Sequence, residues 1–332
     1  MTKQKNQLAD WAERALQRQK AVRYGPTYKA AFMKIRGEAP SGGWSFSDYA
    51  LKLQRNVFAH GYGTHPVVAL ALYHPAVFEV HDEHILYPNA SMHPLASHAS
   101  FKSSPWPSTR GTVALAESLS AMGQKHPAVF VRHEKAAQRD EEVAGYWQVL
   151  PYVGDYLLYL KDSHGPYAVA WDVKSKQGDH AKPWGGNLNR SSHKKKARAE
   201  LFRDEIYKTY LAELDIRLVR MSGSMLDAQF AANILRMLPI HARPVEGPPS
   251  LHAEIIAAFD EALHQGTPPI DVIHHYMTKQ ISSDTASDLL DQAIWGRRLK
   301  VDLFSEITID RPLPPQTRDP IEVYASHFRR HA

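Results

Sequence analysis

Two apolar runs, YVGDYLLYL and PYAVAW, face each other across Asp162-Ser163-His164-Gly165 in the segment Pro151–Lys174. Their aromatic and β-branched content, and the turn between them, predict a β-hairpin. Upstream, Leu8, Trp11, Ala15 and Leu16 are spaced for one apolar face of a helix in a basic arm. Gly42-Gly43 breaks the chain, and Ser45 or Ser47 is expected to cap a helix through Asp48, Leu51, Leu53, Val57 and Phe58. His65-Pro66 opens the apolar run VVALALYH. Residues 76–88 alternate as a strand ending at Pro88. Residues 90–110, rich in Ser, Pro and His, predict a surface loop, followed by a short helix (GTVALAESLSAM) and a strand (PAVFVRH).

The last third has another texture. RDEIYKTYLAEL, SMLDAQFAANILRML, SLHAEIIAAFDEAL, IDVIHHYM and SDTASDLLDQAIWG all carry helical periodicity, and RRLKVDLFSEI reads as a closing strand. Helices followed by a strand turn are the pattern of a winged helix, whose last helix often faces DNA.

Composition narrows the classes. With 332 residues, 43% of them hydrophobic, two domains are expected. No apolar run reaches membrane-spanning length, and the polar start, MTKQKNQLADWAERALQRQK, lacks the apolar core of a secretory signal, so a cytoplasmic location and no membrane partner are expected. The absence of cysteine excludes disulfides, thiolate metal sites and cysteine nucleophiles. The net charge of +5 is concentrated in KPWGGNLNRSSHKKKARAELFR, residues 182–203. Such a run suits a polyanion, with nucleic acid the commonest, or a solvated linker held open by repulsion.

The hairpin also carries acids where strands are most apolar. Asp155 lies on the first strand and Asp172-Val173-Lys174 on the second. The period of two puts Asp172 and Lys174 on one face, while the Val173 side chain points into the core and its backbone carbonyl can still turn toward a metal. Asp155 and Asp172 can share Mg²⁺ or Mn²⁺, hard cations that prefer oxygen. Lys174 beside them can orient or deprotonate water and steady developing charge on a phosphate. The structural alternative is a surface ion pair on an edge strand, worth about 1 kcal/mol or less.

This D…D-x-K arrangement resembles the PD-(D/E)xK pattern of restriction-endonuclease-like enzymes. The wider layout (the turn His74-Pro75-Ala76-Val77, the strand end Asp82-Glu83-His84, the hairpin and the closing Leu299–Phe304) resembles the TnsA-like endonuclease subunits of heteromeric transposases. The resemblance covers most of residues 45–310. It implies an α/β fold: a restriction-endonuclease-like mixed sheet flanked by helices, and a mostly helical, winged-helix-like C-terminal domain. The expected organisation is an N-terminal helical arm over 1–40, a nuclease domain over 41–200, a helical domain over 201–310 and a C-terminal tail over 311–332. It implies cleavage of the 5′ strands at the ends of a double-stranded DNA transposon, in a complex with a DDE-type transposase and an AAA+ ATPase regulator. Lys176, Lys182, Arg190, Lys194, Lys195, Lys196 and Arg198 are the DNA-binding candidates. The family carries a metal-binding glutamate on the helix before the first strand, whereas this chain has no acid between Asp48 and Glu79. His65 is the candidate replacement, with Glu117 behind it. Two alternatives stand beside this reading: an inactive DNA-binding or assembly module of the same fold, and a stand-alone restriction or repair nuclease.

The other features are weaker. The 19 histidines are scattered, with no HExxH. Tyr146, Trp147, Tyr152, Tyr156, Tyr159 and Trp184 are either base-stacking candidates or packing residues. No G-x-S-x-G elbow and no phosphate-binding Walker loop are present, so the chain does not look like its own ATPase.

Overall fold

In the computed structural model, which describes residues 2–33, 44–132, 145–180 and 191–330, the chain starts with helix α1 (Thr2–Arg18). The hairpin strands β1 (Ser45–Ala50) and β2 (Arg55–His60), helix α2 (His65–Tyr73) and strand β3 (Val77–Leu86) follow. Short strands β4 (Ser91–Met92) and β5 (Ser108–Thr109) pair across a loop, and then come α3 (Thr112–Ser118) and the antiparallel pair β6 (Ala128–Arg132) and β7 (Gly145–Val149). The expected hairpin is β8 (Tyr152–Asp162) and β9 (Gly165–Lys174), followed by α4 (Ser191–Glu213) and β10 (Arg217–Ser222). The rest is α5 (Ala228–Met237), α6 (Pro249–Gln265), α7 (Pro269–Thr278), α8 (Ser283–Trp295) and the one-turn α9 (Pro320–Val323).

The central sheet is mixed, in the order β10-β9-β8-β3. β3, β8 and β9 are antiparallel neighbours, and β10 runs parallel to β9. Parallel neighbours need a long crossover, which α4 supplies. Alternation then sorts the layers. Tyr156, Leu158, Leu160, Val169, Trp171 and Val173 enter one apolar cluster with α2 and the C-terminal helices. Leu157, Tyr159, Ala168 and Ala170 enter another with Tyr210 and Leu211 of α4. Trp171 and Tyr159 are fully buried, each contributing about 2–3 kcal/mol. The expected mixed sheet flanked by helices is therefore present, with a helical C-terminal region in which α6, α7 and α8 pack on one another.

Four expectations are corrected. Ser45 and Ser47 start no helix: SFSDYA alternates as β1, and Gln54, at φ 53°, turns the chain into β2. Residue 200 is no boundary, because α4 runs through it and β10 completes the sheet, so the sheet-bearing unit extends to Ser222. The closing strand reduces to one bridge, Val301 to Pro315. Nor is the 311–332 segment a loose tail. Trp171 Nε1 donates to the His327 carbonyl and Tyr167 Oη to the Phe328 carbonyl, both at 2.9 Å, and Phe328 is buried.

Candidate active site

The β8–β9 ladder closes from Asp162–Gly165 down to Tyr156–Trp171 and opens beyond it. Asp155 is the first residue past that point on β8. Its Oδ2 accepts the Val173 amide at 2.7 Å, so a carboxylate takes over where the main-chain ladder stops. Asp172 turns to the same side, and both aspartates line one partly open cavity of about 20 Å³ together with Gly154, Arg203 and Tyr207. That is room for about one water molecule. Lys174 Nζ lies 2.9 Å from Asp172 Oδ1, and His180 Nδ1 lies 3.4 Å from Oδ2. The structure thus brings together Asp155, Asp172, Lys174 and the Val173 main chain, through its amide.

The two carboxylates have different electrostatics. Burial pushes Asp155 up to about 6, helped by Asp172 and opposed by Lys174 and the Val173 amide. Burial also acts on Asp172, but Lys174, His180 and Arg203 outweigh it and hold that carboxyl below its usual value. One acid is thus well compensated and its neighbour is not.

His65 does not join them. Its Nε2 is 2.9 Å from Asp48 Oδ2 and its ring stacks on Phe46 at 4.0 Å, which makes it a structural link between α2 and β1. Glu117 is exposed on α3. Lys176, Lys194, Lys195, Lys196 and Arg198 are exposed, whereas Lys182, Arg190 and Trp184 lie outside the described residues. From Ser191 the basic run is helical, so that part of it is no linker. A helix rises about 1.5 Å per residue. Lys194–Arg198 therefore extend the helix beyond Arg203, which stands level with Asp155 and Asp172. Tyr146 and Trp147 belong to β7, outside the sheet that holds the aspartates.

Sequence reading gave no site role to three residues. Arg203 lowers both aspartates and lines their cavity. The Tyr207 hydroxyl, one helical turn further on, is buried against that cavity with no hydrogen-bond partner among the described residues. Its four-residue spacing from Arg203 was the available signal. The third is Glu83, in strand β3 at φ 49°. Burial raises its carboxyl well above the usual range, with Asp155 and Asp82 adding to the effect, and His60 Nε2 is 3.4 Å away. Gln19 fixes that turn of the strand: its Nε2 donates to the Glu83 carbonyl at 3.0 Å and its Oε1 accepts the Ile85 amide at 2.8 Å.

Among the described residues no group of three or more His, Cys, Asp or Glu side chains is arranged as a metal cage. The donors present are nonetheless those a hard divalent cation uses. Mg²⁺ keeps several waters and is commonly held by one or two carboxylates plus substrate phosphate. Two aspartates beside a cavity of water size fit that mode.

The chain matches no known family model, and no curated protein matches it.

Proposed function

We propose that the protein is a metal-dependent DNA endonuclease, the TnsA-like strand-cutting subunit of a heteromeric transposase. It acts on transposon ends beside a DDE-type transposase and an AAA+ regulator. The observation that carries this reading is the meeting of Asp155, Asp172 and Lys174 where the β8–β9 ladder opens. The parallel β10, the crossover α4 and the exposed lysines at its start support it.

Asp155 and Asp172 would hold Mg²⁺ or Mn²⁺, which when bound lowers the pKa of water and offsets charge on a phosphoryl oxygen. The Val173 amide fixes the Asp155 carboxylate at 2.7 Å. Lys174, held 2.9 Å from Asp172, would steady the negative charge that develops on a phosphate brought to the two carboxylates. Arg203 lowers the charge cost of bringing a phosphodiester to two carboxylates.

The test is nicking of supercoiled DNA with Mg²⁺ or Mn²⁺, with and without a DDE-type partner. Lys174→Ala should lose about 10²–10³-fold in rate while keeping its circular dichroism and DNA affinity. Cleavage by the purified chain alone favours a stand-alone nuclease. No cleavage under any condition, with DNA still bound, leaves an assembly module.

A further inference from the structure

Building on that reading, we propose that Trp44 and Tyr62 form a stacking platform for an unpaired base of the nucleic-acid strand delivered to Lys174. Both are aromatic side chains left largely in water, with Trp44 67% and Tyr62 62% exposed. They are neighbours, with ring centroids 5.4 Å apart, and Phe46 backs Tyr62 at 5.4 Å. Phe46 in turn stacks on His65 at 4.0 Å, and Asp48 holds His65 at 2.9 Å. Two exposed rings therefore rest on a layered, hydrogen-bonded support.

The position of the platform gives it a role. The Gly61 amide donates to the Trp44 carbonyl at 2.7 Å, which ties the Gly61–Thr64 turn to the start of β1. That turn lies on the chain just past Lys174: a Cβ on Gly63 would stand 2.8 Å from the Ser175 carbonyl oxygen. It also lies on Gly223 just past β10, where a Cβ would stand 2.4 Å from the Gly63 carbonyl oxygen. Both contacts are backbone on backbone, so the aromatic turn is anchored at the strand end that carries the catalytic lysine.

The opposite face of the sheet end is cationic. Lys194, Lys195, Lys196 and Arg198 are exposed on α4 before Arg203. Aromatic faces on one side and a run of cations on the other match a ligand that is both anionic along its backbone and flat in its side groups. A nucleic-acid strand with unstacked bases has that chemistry. A paired duplex hides its base faces and would use the cations alone.

The experiment uses the full chain in EDTA, so that no strand is cut, with forked and fully paired oligonucleotides carrying 2-aminopurine at the fork. Wild type should quench the fork fluorophore and bind the forked DNA more tightly. Trp44→Ala and Tyr62→Ala should each weaken forked binding about tenfold to a hundredfold, with duplex affinity and its salt dependence unchanged. Trp44→Phe should recover most of the loss. Equal binding of both DNAs by Trp44→Ala and wild type, equal loss on both, or capture of a protein segment with no effect on DNA would each overturn the proposal. The assay needs no metal, so its failure leaves the cleavage reading standing, and a chain that cuts nothing can still be scored for stacking.

Discussion

The two ends of one hairpin handle an aspartate in opposite ways. At the closed end, Asp162 receives two hydrogen bonds from Arg330, at 2.8 and 2.7 Å, and these hold its carboxyl below the usual range. At the open end, Asp155 has one backbone amide, a neighbouring acid and a lysine already engaged by that acid, and burial drives it up. The fold can neutralise a deep carboxylate where its role is structural. Asp82, fully buried, has Arg55 at 2.8 Å and the Phe58 amide at 3.0 Å. Burial also raises Glu79 and Asp291, but each has an arginine partner, Arg55 at 3.4 Å and Arg236 at 2.7 Å, whereas Asp155 and Glu83, side by side in the sheet, have none among the described residues. A buried carboxyl without an arginine partner, next to a cavity and a lysine, is the pattern expected of a functional site.

Three substitutions sharpen this contrast. The largest effect is expected at Gly154, where an alanine Cβ would stand 2.3 Å from His84 Cε1 and 2.5 Å from Tyr207 Oη. Gly154→Ala should cost about 1–3 kcal/mol in urea denaturation and displace Tyr207. Next is Asp155→Asn in metal-free buffer, which should stabilise the chain by about 1–2 kcal/mol at pH 7.5. Asp155 titrates near 6 in the folded state and lower when unfolded, so the folded form binds its proton more tightly. Its stabilising contribution is complete below about pH 4 and disappears as pH rises through 6, so the advantage of the variant should open over that window; Asp172, held low, acts with the opposite sign. The smallest effect belongs to Arg330→Ala. That pair is about a third exposed, and its loss should cost less than about 1 kcal/mol, within a shift of a few degrees in melting temperature.

The same contrast explains what could be read from the chain. The hairpin was legible because period-two alternation and its turn are local, and its D-x-K side chains fall on one face by geometry alone. The C-terminal helices were legible for the same reason. Strand β10 was not, since Arg217 and Arg220 interrupt its apolar residues; they bond the Ser326 carbonyl and Asp204, partners 109 and 16 residues away. The β1–β2 hairpin was mistaken for a helix because Leu51, Leu53 and Val57 mimic helical spacing, while the turn depends on Gln54 at positive φ. Glu83 was named only as part of a strand end. Its orientation is set by Gln19, 64 residues earlier, and no local pattern encodes that.

Under the proposed function, a divalent cation would supply the charge that Asp155 lacks. Thermal denaturation with increasing Mn²⁺ tests it directly, on wild type, Asp155→Asn and Asp172→Asn. A saturable rise in wild-type stability is expected, about 2.7 kcal/mol at a hundredfold excess over the dissociation constant, with no rise in either variant. Equal stabilisation of all three proteins, or of none, would contradict it.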